Sequence, residues 1–468
     1  MKQSTDGLFS VRLLSRKMAT GVLAAAIAGA SACGGHTSTT CPNLAIANGL
    51  LGQAVYTVGT PNTGGISAST LGGPEGSVAA ASGATPFYVP DTLNNRILGY
   101  GSTPGSTTTV GITATPPAGS LAGAAGFVMG QASVTGNTPG TSSTSFSSPT
   151  KVSISEDLTQ LVVADSGNNR VLIWNSLPTG NTPADIVIGQ PDFVSNSQNQ
   201  NGAVAANTLS NPTAAMIAGN HLVVVDKGNN RVLIWNNVKT GSTVNLTSNQ
   251  AANVVLGQAD FTHAVASIDS FSGTTQSYTL AMNSPTDVFT DGFNLIVSDS
   301  NNHRVLFWSS FPSNTTEQNQ LPSDVIGQTN FGQNTSGSGA QHMNGPTGVG
   351  SDGTSIFVAD TQNHRVLQFP LVSVANGLSA TGVFGQEDFS HISYNDDDQN
   401  SQAGDQSNSQ TNLNPTQNTL DAPEGVTALA SGQIFVTDSG NNRVVQFRIK
   451  DAVNGTLTSN CNGVNPQF

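Results

Sequence analysis

Asp165-Ser-Gly-Asn-Asn-Arg170-Val-Leu-Ile-Trp174 (DSGNNRVLIW) decides the fold, because the chain writes it six times. The other copies are PDTLNNRILGY around Asp91 and Arg96, DKGNNRVLIW from Asp226, DSNNHRVLFW from Asp299, DTQNHRVLQF from Asp360 and DSGNNRVVQF from Asp438. Each places an Arg five residues after the Asp and an aromatic four residues after the Arg. The aromatics are Tyr100, Trp174, Trp235, Trp308, Phe369 and Phe447. A unit that returns every 61 to 78 residues means a repeat architecture.

Each copy reads as a hairpin. β-formers precede the Asp (LVVAD, LVVVD, LIVSD, IFVAD, IFVTD) and follow the Arg (VLIW, VLFW, VVQF). Between them stand Gly and Asn, which reach positive φ cheaply. The Asp is expected to accept N–H groups of its own turn, and the Arg to fork onto a carboxylate or carbonyls. Asp91, Asp165, Asp226, Asp299, Asp360 and Asp438 thus pair with Arg96, Arg170, Arg231, Arg304, Arg365 and Arg443. Six of the chain's nine arginines are spent this way. A reaction site is unique, whereas this pair occurs in every unit, so its role is structural.

Two further signals complete the unit. Gly-Gln recurs at 52–53, 130–131, 189–190, 257–258, 327–328 and 385–386, closing short apolar strands such as IVIGQPDF and VFGQEDF. Pro74, Pro149, Pro212, Pro285, Pro346 and Pro423 each open a strand, where a missing N–H does little harm. Each unit then has a Pro-led strand a, a strand b ending at Asp, a strand c starting at Arg and a strand d ending at Gly-Gln. Six such units predict an all-β fold, a six-bladed β-propeller of four-stranded antiparallel blades. A d-type strand at 50–58 has no a, b or c before it, and 423–449 supplies a, b and c with no d after them. The N-terminal strand is expected to complete the last blade.

Through P-x-x-V and [VI]-x-D-x-x-N-[NH]-R-[VI], the chain resembles NHL-repeat proteins over roughly residues 50 to 450. Its GQ-x-D-F strands look most like exported bacterial members. The resemblance implies the same propeller and no single activity, since members include ligand-binding scaffolds, sensor domains and lyases.

Residues 1–32 read as an export signal: Lys2, Arg12, Arg16 and Lys17 precede an Ala-rich apolar run from Met18 to Ala32. Gly29-Ala30-Ser31-Ala32-Cys33 resembles the lipobox of bacterial lipoproteins, with Ala30 where that family usually has Leu. The resemblance implies that Cys33 becomes the first mature residue and carries lipid; the alternative is an ordinary A-x-A cleavage beside an incidental Cys. The expected organisation is 1–32 signal peptide, 33–48 polar tether, 49–452 propeller and 453–468 tail. Export places Cys41 and Cys461 in an oxidising space, and ring closure brings their flanking strands together, so a Cys41–Cys461 disulfide is expected. Without residues 1–32, 11 Lys and Arg face 27 Asp and Glu, a net charge of −16. That argues against nucleic acid as a partner and leaves the lipid as the only expected membrane contact. The chain is expected to be a monomer at the membrane, facing periplasm or cell exterior.

Chemistry has few places to sit. The residues after each strand-a Pro vary between blades, as a unique site requires. They include Glu75, Lys151, Asp287 and Glu424, the candidate binding residues of the channel mouth. Glu75 and Glu424 fall in blades that become neighbours on closure, where they can form a carboxylate pair. His303 and His364 replace the last Asn of their turns, in positions too far apart to share a zinc. Asp396–Asp398 in the acidic loop 395–408 offer oxygens to calcium, without the spacing of a known calcium loop. No cofactor is otherwise expected, and no H-E-x-x-H, G-x-S-x-G or P-loop pattern is present. The long d-to-a insertions (191–210, 259–283, 329–344, 387–421) decorate one face, where binding usually lives. Two readings follow. One is an envelope scaffold, not an enzyme, for a protein, peptide or glycan ligand. The other, by analogy of fold, is a metal-assisted lyase or lactone hydrolase in the channel.

Overall fold

The computed structural model describes residues 45, 47, 49–80, 87–100, 124–266, 281–316, 318–396 and 415–453. The export signal, Cys33, Cys41, Cys461, nearly all of the tether and tail, and 397–408 of the acidic loop lie outside them.

Six antiparallel sheets follow one another along the chain, and the helical segments between described strands are short 3-10 turns. Blade one has Phe87–Asp91, Arg96–Tyr100 and Phe127–Met129. Blade two has Pro149–Ile154, Leu161–Asp165, Arg170–Trp174 and Ile186–Ile188. Blade three has Pro212–Ala218, His221–Asp226, Arg231–Asn236 and Val254–Leu256. Blade four has Pro285–Thr290, Leu295–Asp299, Arg304–Trp308 and Asp324–Ile326. Blade five has Pro346–Ser351, Ser355–Asp360, Arg365–Pro370 and Gly382–Phe384. Blade six takes Pro423–Leu429, Gln433–Asp438 and Arg443–Arg448 from the end of the chain and Gly49–Leu51 from its beginning.

That last pairing closes the ring: Gly49 stands opposite Gln446, Leu50 opposite Val445 and Leu51 opposite Val444. The closing strand is three residues long, shorter than the 50–58 expected, because the chain bends away at Gly52 (φ 90°). Closure covers the edge of Arg443–Arg448 that would otherwise lie open at the seam. Blade one departs from the four-strand pattern. Its innermost segment touches strand b at one bridge, Ala79 with Tyr88. A two-stranded ribbon, Lys239–Thr240 with Thr243–Val244, was not foreseen either.

Strands b and c are buried on both faces, which explains their continuous apolar runs. Val162 and Ile173 of blade two pack with Leu222, Leu233 and Trp235 of blade three. Their neighbours Val163, Leu172 and Trp174 pack with Tyr88 and Ile97 of blade one. Alternate residues of one strand therefore glue it to opposite neighbours.

The Asp–Arg turn is the same in all six blades. In blade two, Arg170 Nε meets Asp165 Oδ2 at 2.7 Å and both side chains are fully buried. Asn168 Nδ2 donates to the same oxygen, and Ser147 N donates to Oδ1 at 2.7 Å. This corrects one expectation: the N–H comes from the incoming d-to-a loop, not from the Asp's own turn. The remaining guanidinium N–H groups donate to carbonyls of that loop and the next, Ser142, Ser145 and Phe193 among them. The ion pair thus holds the loops as well as the hairpin. Asn169, at φ 54°, accepts from Asn211 N of blade three. His303 and His364 do the same with Nδ1, accepting from Gly345 N and Ala422 N at 3.0 Å. Both are turn residues that bridge blades. The Gly-Gln signal has a matching explanation. Gln190 Nε2 donates to Asn169 O and Ser197 O, tying the end of strand d to the turn.

Candidate functional site

The residue after each strand-a Pro forms one layer around the channel: Glu75, Thr150, Thr213, Thr286, Thr347 and Glu424. The four threonines make a belt. Each hydroxyl donates to the carbonyl of the equivalent residue one blade on: Thr150 to Thr213, Thr213 to Thr286, Thr286 to Thr347, and Thr347 to Glu424, at 2.8–2.9 Å. Where the ring closes, the belt stops and two glutamates take over. Blades six and one pack tightly here: a Cβ on Gly425 would stand 1.9 Å from Gly76 O.

A second belt runs through the first residue of each turn. Thr92, Ser166, Thr361 and Ser439 donate to the Pro carbonyl of the next blade, at 2.5–2.8 Å. Blade three has Lys227 in this position. Its ammonium acts electrostatically on both Glu75 and Glu424. Among the described residues, neither carboxylate nor the Lys227 amine has a hydrogen-bond partner. Burial pushes the Glu424 carboxyl up to about 8, Glu75 adds to the rise, and Lys227 opposes it. Burial raises Glu75 too, again against Lys227. A Glu424 carboxyl held protonated near neutrality beside a second acid can exchange its proton for an arriving cation.

One layer further in, the channel is stoppered. Gly76 (φ 64°) adds one residue to blade one, so Ser77 falls level with Lys151, Ala214, Asp287, Gly348 and Gly425. Lys151 Nζ crosses from blade two to Asp287 Oδ1 of blade four at 2.6 Å and also donates to Val288 O at 2.7 Å. Asp287 Oδ2 accepts from Ser77 Oγ at 3.0 Å and Val349 N at 3.1 Å. The small residues of this layer leave the room that the pair fills. Lys151 is 6% exposed and Asp287 3%. Beyond the stopper lies a cavity of about 150 Å³ whose walls include Met216, Phe289 and Leu429.

The four expected channel-mouth residues therefore separate into two sets. Glu75 and Glu424 come together at the mouth. Lys151 and Asp287 do not belong to the mouth; they are committed to each other below it. Lys227 was missed. Its signal was in the sequence, as the one turn reading DKG where the others have Ser or Thr after the Asp. Asp396, one of the expected calcium oxygens, is buried near His391. Among the described residues, the His and acidic groups close enough to share a metal ion are Glu387, Asp388 and His391, on the loop after strand d of blade five.

Six sheets with the closing strand taken from the chain's other end define a six-bladed β-propeller. Residues 420–447, the core of blade six, match the NHL repeat. No curated protein sequence matches the chain. Among solved structures, a protein of unknown function from Bacteroides thetaiotaomicron is similar at 12% identity and a TM-score of 0.41, over 83% of this chain and 75% of that one. Streptogramin B lyase is similar at 11% and 0.39, over 86% and 96%. An auxiliary nutrient binding protein from B. thetaiotaomicron is similar at 9% and 0.41, over 80% and 69%. Likenesses this distant say nothing about activity.

Proposed function

We propose that the protein is an exported, lipid-anchored propeller that binds a peptide or glycan through a cationic amino group at the channel mouth. The observation that carries this is the Glu75–Glu424 pair facing Lys227, with no hydrogen-bond partner for any of the three among the described residues. Glu75 and Glu424 take the ligand's ammonium, and Lys227 takes a carbonyl or carboxylate next to it. A lyase or hydrolase working through the channel with Glu75, Glu424 and Asp287 has less support, because Asp287 is tied to Lys151.

A tripeptide Gly-Lys-Gly and its Nε-acetylated form test the reading by calorimetry on the mature chain. The free amine should bind, and Glu75→Gln/Glu424→Gln should weaken it by about tenfold or more, the range for one lost charged contact. Equal binding of the acetylated peptide would contradict it. For the anchor, Cys33→Ser should move the protein out of the membrane fraction, since stable attachment needs the lipid chains; an unchanged distribution would contradict lipidation.

A further inference from the structure

Strand d of blade five runs into Gly385-Gln386-Glu387-Asp388-Phe389-Ser390-His391, and blade three repeats the pattern as Gly257-Gln258-Ala259-Asp260-Phe261-Thr262-His263. In both loops the Asp Oδ1 meets the His Nδ1 at 2.7 Å. That bond fixes the imidazole and leaves Nε2 pointing away from the Asp. In blade three the pair is about half exposed. Blade five adds two acids. Glu387 replaces Ala259, is 5% exposed, and brings Oε1 to 3.4 Å from His391 Nε2. Asp396, from five residues further on, is 6% exposed and acts electrostatically on the same ring.

This spacing is what zinc needs. Zinc binds imidazole nitrogen and carboxylate oxygen at about 2.0–2.2 Å, so two such atoms on a tetrahedral ion stand roughly 3.4 Å apart. A carboxylate holding the second ring nitrogen is the usual outer support of a zinc-bound His. We propose that blade five carries a zinc site formed by His391 Nε2 and Glu387, with Asp388 as the positioning residue and the charge of Asp396 nearby. The imidazole argues for zinc over calcium, which takes six to eight oxygens. The site lies in the largest d-to-a insertion and is separate from the channel mouth. It pins residues 387–396 to the end of strand d.

Calorimetry with zinc chloride on the metal-stripped mature chain, thiols alkylated, tests the proposal. One zinc per chain should bind, and Glu387→Gln and His391→Ala should each weaken it by about tenfold or more. Asp260→Ala/His263→Ala in blade three should leave it unchanged. Cobalt loaded into the unmutated chain should show visible absorption of a tetrahedral nitrogen–oxygen site, a readout that needs no variant to fold. Absence of that spectrum, or zinc binding indifferent to Glu387 and His391, would overturn the site.

Discussion

Lys151 Nζ stands 2.6 Å from Asp287 Oδ1, joining blade two to blade four across the axis of the propeller. The pair closes the channel with opposite charges that satisfy each other. Breaking it from one side strands a buried charge, so Lys151→Met and Asp287→Asn should each cost about 3–5 kcal/mol. The double variant Lys151→Met/Asp287→Leu should cost less than the sum of the two. Urea unfolding of the three variants measures this, and additive losses would show that the two residues act separately.

The repeated ion pair predicts a second, uniform effect. Arg170, Arg231 and Arg304 are fully buried on their Asp partners and each also donates to loop carbonyls. Replacing any one with Ala should destabilise the fold by about 3–5 kcal/mol. Similar losses in all three follow from equivalent positions. A variant that lost ligand binding at unchanged thermal stability would instead mark its Arg as a binding residue.

Glu424 gives the stability a pH dependence. Its carboxyl is pushed from 4.5 up to about 8 on folding. Between these values the folded chain keeps a proton that the unfolded chain has released. Its contribution is therefore full below about 4.5, falls as pH rises, and is lost above about 8. Partial exposure screens the effect, leaving on the order of 1–2 kcal/mol. Glu424→Gln should flatten the dependence across this window. A wild-type profile already flat from pH 5 to 8 would contradict the buried carboxyl pair.

Strand Gly49–Leu51 lies against Arg443–Arg448, and Cys41 and Cys461 flank these strands in sequence. We expect them to form a disulfide across the seam. In the chain-entropy account, a loop this long contributes more than about 4 kcal/mol. Mass mapping without reduction should recover a linked Cys41–Cys461 peptide; separately alkylated thiols from freshly exported protein would refute the link.

The fold was legible because every blade encodes itself locally. The Asp-to-Arg interval sets the hairpin, the Pro opens strand a, and Gly-Gln ends strand d, so six copies dictate six sheets. The seam was legible because one strand was spare at one end and one missing at the other. Glu75 beside Glu424 followed from the seam. What escaped depended on contacts across the ring. Nothing near Lys151 in sequence indicates Asp287, 136 residues away. The extra residue at Gly76, which drops Ser77 to their level, is invisible until the strands are paired. Lys227 broke a Ser/Thr pattern that acquires meaning only once the hydroxyls are seen to link blades.

The most direct measurement is the affinity of Gly-Lys-Gly for the mature chain at pH 6.5 and at pH 8.5, in wild type and in Glu424→Gln. Cation binding that displaces the Glu424 proton predicts tighter binding by wild type at the higher pH, with the dependence lost in the variant. Equal affinity at both pH values, unaltered by Glu424→Gln, would contradict a ligand site at Glu75 and Glu424.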